Sequence, residues 1–179
     1  MNKQVFIING TGGCGKDTFV SLFSEELKKY NKDTINYSSV QIIKSIAGMV
    51  GWQGGKTEKD RKFLSDLKAL CAEYSDAPFQ SMCEVYDLFL KANNTDVLFL
   101  HIREPEEIER AKQKFNAKTI LVKRNSVEDI KSNVSDANVN NYNYDITIEN
   151  NGDMNDLKET VWLFVKDYFK KTLSTNMCC

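Results

Sequence analysis

The chain has 179 residues, the length of one domain, and its 41% hydrophobic and 27% charged residues suit a folded core rather than a disordered segment. A formal net charge of −1 argues against nucleic-acid binding through a globally basic surface, so any bound anion must be held by a local cluster of cations. The first apolar run, Val5 to Ile8, is too short for a secretory leader or a membrane span, and a cytoplasmic protein with no membrane partner, monomer or homodimer, is expected.

In chain order, Val5 to Ile8 predicts a strand buried on both faces, ended by the glycine cluster that begins at Gly10. Lys16 to Tyr30 carries Phe19, Val20, Phe23 and Leu27 at helical spacing, with Lys28 and Lys29 placed to complement the helix carboxyl end. Thr34 to Ser38 reads as a short strand. Val40 to Met49 reads as a helix with Ile42, Ile43, Ile46 and Met49 inward. Beyond a polar, glycine-containing stretch, Leu64, Leu67, Leu70, Cys71 and Tyr74 make an amphipathic stripe, and a further helix follows Pro78 with Met82, Val85, Tyr86 and Phe89 inward.

Val97 to Ile102 is the next buried strand, Glu104 to Phe115 a charged helix and Thr119 to Val122 another strand. Ser126 to Asn143, rich in Asn, Asp and Ser, is expected to be mobile and only partly helical. Tyr144 to Glu149 alternates like a strand, Asn151 and Gly152 mark a turn, and Leu157 to Phe169 is an amphipathic helix. Strands alternating with helices predict an α/β fold, a parallel sheet covered by helices on both faces.

The stretch Gly10-Thr11-Gly12-Gly13-Cys14-Gly15-Lys16-Asp17-Thr18 fits the phosphate-loop pattern GxxxxGK, with a strand before it and a helix after it. Glycines let backbone N–H groups converge on phosphate oxygens, the helix amino terminus adds the positive end of its dipole, and Lys16 can reach the β- and γ-phosphates. Gly10, Gly12, Gly13, Cys14, Gly15, Lys16, Asp17 and Thr18 are therefore the candidate nucleotide-phosphate residues. Asp17 stands where Ser or Thr usually offers a hydroxyl to Mg²⁺. It either holds the metal, directly or through water and with Thr18 in reserve, or sits favourably in the first helical turn.

Four segments together resemble the deoxynucleoside monophosphate kinase-like branch of the P-loop kinases. They are the Gly-Lys-Asp-Thr run, Val97-Leu-Phe-Leu-His-Ile-Arg-Glu-Pro-Glu-Glu107, Ile120-Leu-Val-Lys-Arg124 and Tyr144-Asp-Ile-Thr-Ile-Glu-Asn-Asn-Gly152. Animal-type phosphomevalonate kinase is similar in the Gly-Lys-Asp loop. The resemblance implies a three-layer P-loop fold with a five-stranded parallel sheet, ATP as donor and Mg²⁺ as cofactor. It also implies one domain over residues 1–179, with a helical acceptor-binding insertion near 40–93 and a short lid near 125–143. Where the family carries an acidic residue at the end of the third core strand, this chain has His101, its only histidine.

The only arginines are Arg61, Arg103, Arg110 and Arg124. Arg103 follows the carboxyl end of a central strand, where ligands gather in open α/β sheets, and Arg124 ends the next strand, before the lid-like segment. These two, with Lys16, are the catalytic candidates. Arg61, Arg103, Ser38 and Lys44 are the acceptor-binding candidates, although a serine before a helix is first an N-cap. Arg110, among glutamates, reads as a solvated surface group. The expected activity is phosphoryl transfer from ATP to a small phosphorylated acceptor, a (deoxy)nucleoside monophosphate. The alternatives are a non-nucleotide phosphate as acceptor, or a weakly catalytic nucleotide-binding regulatory module. The five cysteines lack paired spacing and are expected to be reduced thiols.

Overall fold

A computed structural model describes residues 3–126 and 139–175. Five strands, β1 (Gln4–Asn9), β2 (Asp33–Ser38), β3 (Thr95–His101), β4 (Lys118–Lys123) and β5 (Ile146–Glu149), form one parallel sheet in the order β2-β3-β1-β4-β5. The described α-helices are α1 (Lys16–Lys28), α2 (Gln41–Met49), α3 (Glu58–Ser75), α4 (Ala77–Lys91), α5 (Pro105–Phe115) and α6 (Met154–Thr175). This is the α/β architecture expected of the sequence. The chain divides into two compact units, Met1–Asn36 with Ala92–Cys179, and Tyr37–Lys91.

In the first unit β1, β3 and β4 are buried on both faces, which is why they read as unbroken apolar runs. Side chains alternate across a strand, so Phe6, Ile8, Val97, Phe99, Ile120 and Val122 share one face and join a core with Phe19, Phe23 and Leu27 of α1 and Val161 and Val165 of α6. Aromatic rings knit this face: Phe6 stacks on Phe99 at 5.6 Å, and Phe23 meets Phe99 edge-on at 5.1 Å. Each such pair contributes about 0.5–1.5 kcal/mol beyond its buried area. Helix α5 packs on β1 and β4, burying Ile108, Ala111 and Phe115.

Helix α6 begins three residues before the predicted Leu157 because Asp153 and Asp156 cap it reciprocally. The Asp153 carboxylate accepts from the Asn155 and Asp156 amides at 2.6 and 3.1 Å, and the Asp156 carboxylate accepts from the Asp153 amide at 2.8 Å.

In the second unit α2, α3 and α4 pack on one another around Ile43, Ala47, Phe79, Met82 and Phe89. Three expectations are corrected here. Met49 is 84% exposed, because it lies roughly 120° around α2 from Ile43, and Ala47 takes the inward place. Likewise α3 buries no residue fully. Leu64, Leu67 and Cys71 are half-buried on one side, while Leu70 and Tyr74 are 64% and 89% exposed, Leu70 being roughly 120° around from Leu64. Nor does a serine cap α2: its N-cap is Val40 with no side-chain bond, and Ser39 is buried.

No described helix is long and apolar enough to cross a membrane. Cys14 is buried, and Cys71 and Cys83 are half-buried. Cys178, Cys179 and residues 127–138, most of the expected lid, lie outside the described residues.

Candidate functional site

The carboxyl ends of β1, β3, β4 and β5 converge on the glycine loop. Register sets Ile8 opposite His101, so the end of β3 lies two residues from the start of the loop. Asn9, the last residue of β1, is buried and ties three segments together. Its Oδ1 accepts from the Gly10 amide at 2.8 Å, and its Nδ2 donates to the Arg103 carbonyl at 3.2 Å and to the Tyr144 hydroxyl at 2.8 Å. Burial pushes the Tyr144 hydroxyl up to about 12, so it keeps its proton and donates to the Val139 carbonyl at 3.0 Å.

The loop is closely built. A Cβ at Gly10 would stand 2.6 Å from both the Cys14 Sγ and the Val122 carbonyl oxygen. Gly15 has φ +93°, left-handed backbone that other residues adopt only with strain, and a Cβ there would run into the Asn150 side chain. Around Gly13, by contrast, nothing lies within 4 Å of where a Cβ would be, so the loop is open on that side. Asn150, buried just beyond β5, donates from Nδ2 to the Cys14 carbonyl at 2.8 Å, while its own amide donates to the Lys123 carbonyl at 2.7 Å. Cys14 is itself buried, which pushes its thiol up and leaves it an inert plug beneath the loop.

At the start of α1 the Lys16 ammonium lies 2.5 Å from the Asp17 Oδ1 and 2.7 Å from the His101 Nδ1. Asp17 is 86% exposed in the first helical turn, and its Oδ1 is 3.7 Å from the His101 Nδ1. The hydrogen bond from Lys16 holds the Asp17 carboxyl below its usual range against desolvation, with help from the charges of Lys16, His101 and Arg103. Burial, then the charges of Lys16 and Arg103, push His101 down to about 4 against the opposing pull of Asp17. The ring is thus neutral near pH 7. An ammonium has donors only, so Nδ1 accepts and the ring proton sits on Nε2. That Nε2 is buried with no hydrogen-bond partner among the described residues.

Lys16, Asp17, His101 and Arg103 are therefore brought together, with Arg103 half-buried between β3 and α5. Thr18 is half-buried beside Asp17. Arg124 is exposed past the end of β4, and its Nε donates to the Ser126 hydroxyl at 3.2 Å. Ser38, Lys44 and Arg61 belong to the second unit, where Ser38 ends β2, half-buried, and Lys44 and Arg61 are exposed on α2 and the first turn of α3. Arg110 is exposed on α5, as expected. Sequence reasoning passed over Asn9, Tyr144 and Asn150; the one signal was that Tyr144 and Asn150 stand in the closing run that carries the family resemblance. Among the described residues no group of three or more His, Cys, Asp or Glu is placed to hold a metal by protein ligands alone.

No family model matches the chain, and no curated protein matches it. Solved structures do. An APS kinase of Mycobacterium tuberculosis is 12% identical, covering 92% of this chain and 98% of its own, with a TM-score of 0.46. Shikimate kinase from Aquifex aeolicus is 13% identical over 91% of this chain and 96% of its own, with a TM-score of 0.47. Thymidylate kinase from Ehrlichia chaffeensis is 12% identical over 95% of this chain and all of its own, 100%, also with a TM-score of 0.47.

Proposed function

We propose that the chain transfers the γ-phosphoryl group of ATP to a small phosphorylated acceptor, a (deoxy)nucleoside monophosphate, giving the diphosphate. The observation that carries this reading is the glycine loop, open at Gly13 and left-handed at Gly15, running from a buried strand into the amino end of α1 with Lys16 as its first residue. Convergent amides, a helix dipole end and an ammonium suit a polyphosphate.

The donor set also suits Mg²⁺, which takes one or two carboxylates, keeps several waters and completes its shell with substrate phosphates. Asp17, an exposed carboxylate kept ionised by Lys16, and the neighbouring Thr18 hydroxyl are the residues that would hold it. Bound there, the ion would supply neutralisation of phosphate charge. Lys16 and Arg103 would neutralise charge on the transferring group, with Arg124 assisting from the end of β4. Ser38, Lys44 and Arg61 are the acceptor residues in this reading. An acceptor phosphate is already ionised, so no general base is needed. His101 is unsuited to be one, because Lys16 occupies its Nδ1 and its Nε2 carries the proton.

The test is ADP release with ATP, Mg²⁺ and a panel of nucleoside monophosphates and non-nucleotide phosphates. Turnover on a nucleoside monophosphate is expected, with Lys16→Ala lowering it by about 10² or more at an unchanged melting curve. Lys16→Ala with most of its activity would remove the loop from the mechanism. Turnover on a non-nucleotide phosphate alone would move the acceptor, and ATP binding without turnover on any acceptor would make the chain a binding module.

A further inference from the structure

The pairing of β1 with β3 runs from Gln4 opposite Val97 to Ile8 opposite His101. Arg103 lies beyond it, on the connection from β3 to α5, where that ladder no longer fixes the chain. The Asn9 side chain, only 1% exposed, carries the hold further. The Gly10 amide can only donate and the Arg103 carbonyl can only accept, so Oδ1 must face the loop and Nδ2 must face Arg103, at 2.8 and 3.2 Å. Nδ2 has a second proton, and it goes to the Tyr144 hydroxyl at 2.8 Å. The position thus uses an acceptor and two donors at once. Of side chains with the same shape, leucine offers neither and aspartate offers acceptors alone.

All four residues belong to the first unit. The Arg103 guanidinium is close enough to the loop for its charge to act on Asp17 and His101, so a shift of the Arg103 backbone would move that charge relative to phosphates held by the loop. The loop has a further tether of its own, the Asn150 amide on the Cys14 carbonyl at 2.8 Å. Loss of the Asn9 side chain therefore removes the hold on Arg103 and leaves one on the loop.

Resting on the phosphoryl-transfer reading above, we infer that Asn9 is a positioning residue for that reaction, setting the Arg103 guanidinium against the transferring group by fixing its backbone to the first glycine of the loop. A contact that gains strength only as charge moves acts on kcat, whereas the loop amides and Lys16 carry the binding of ATP. Displacing such a group by about 1 Å costs roughly 10²-fold in rate.

The test is steady-state kinetics of the full chain with ATP, Mg²⁺ and the acceptor, from the panel above, on which the wild type is fastest. It is made for the wild type, Asn9→Ala, Arg103→Ala and the double variant, with a titration by the non-hydrolysable analogue AMPPNP and a thermal melt of each. Asn9→Ala is expected to lower kcat by about 10- to 100-fold, with ATP KM and AMPPNP affinity within about threefold of the wild type. In the Arg103→Ala background the same substitution is expected to change kcat by less than about twofold, because the group it positions is gone. Asn9→Ala at the wild-type kcat overturns the inference. So does a loss carried by AMPPNP affinity with kcat intact, the mark of a loosened loop, or a loss as large in the Arg103→Ala background as in the wild type. If Asn9→Ala fails to fold, Asn9→Ser, whose hydroxyl has one proton where two are needed, is read by the same criteria. A wild type that turns over no acceptor, or Arg103→Ala at the wild-type kcat, refutes the reading on which the inference rests, and either result is seen without any Asn9 variant.

Discussion

Asn150→Asp replaces an amide by a carboxyl of the same shape, so it tests a hydrogen bond with almost no change in packing. In the wild type the Nδ2 donates to the Cys14 carbonyl at 2.8 Å in a buried setting, fixing the middle of the loop to the end of β5. The variant sets an acceptor against that carbonyl. The lost bond is worth about 1 kcal/mol and the buried, unsatisfied oxygen a further 1–3 kcal/mol, so a loss of about 2–4 kcal/mol is expected at pH 7. In a chain of this size that lowers the melting temperature by roughly 4–16 °C. The pH dependence has a definite sign. The introduced carboxyl is disfavoured as an anion in the folded state, so its folded pKa lies above the unfolded value of about 4. Its deficit is therefore smallest below about pH 4, where the protonated acid can donate, and grows as pH rises through the folded pKa. Differential scanning calorimetry at several pH values reads both quantities, and AMPPNP affinity should fall alongside, because the carbonyl next to Gly15 has lost its tether. A variant melting within about 1 °C of the wild type at pH 7, with no dependence on pH, would show that the amide does not hold the loop.

Two glycine substitutions separate backbone strain from space. Gly15→Ala meets both the left-handed φ of +93° and the Asn150 side chain, and should lose at least about 2 kcal/mol in urea denaturation; an unchanged midpoint would contradict the loop geometry. Gly13→Ala, with φ +85° but nothing within 4 Å, should lose only about 1 kcal/mol, and a loss as large as that of Gly15→Ala would mean that the surroundings of Gly13 are not open. Burial pushes the Asp145 carboxyl up, but hydrogen bonds from Lys112 and from the Thr119 amide and hydroxyl, at 2.7, 2.8 and 2.9 Å, hold it below its usual range. A depressed folded pKa contributes stability above the unfolded value that is lost as pH falls, so Asp145→Asn should cost about 1 kcal/mol at pH 7 and converge on the wild type as pH falls through the folded pKa. A gap that stays constant across that range would rule out the ionised carboxylate as its source.

The sheet was legible because parallel strands covered on both faces must be apolar without interruption. Val5 to Ile8 and Val97 to Ile102 therefore stood out, and the structure moved their ends by only one or two residues. Helices against the sheet were legible for the same reason: Phe19, Val20, Phe23 and Leu27 are all buried on α1. Helix α3 was misread because the predicted stripe was wider than the face it buries. A run of leucines says that a helix has an apolar side, but not how much of it a neighbour covers, and Leu70 and Tyr74 stayed outside.

The candidate site was legible only where it is local. Gly10 to Thr18 announces itself because one short stretch must supply amides, dipole and ammonium together. The Asn150 contact joins residues 136 positions apart, and no local pattern marks a buried asparagine as the tether of a distant carbonyl. The neighbour of His101 likewise follows from register. Ile8 pairs with His101, but β1 and β3 are apolar on both faces, so no alternation in the sequence announces that register. That pairing rests on Leu98, Phe99 and Leu100, all buried, and owes nothing to the side chain at the strand end. Replacing His101 by Asn should therefore leave β1 and β3 paired as they are beside Lys16, with amide hydrogen exchange in the two strands unchanged.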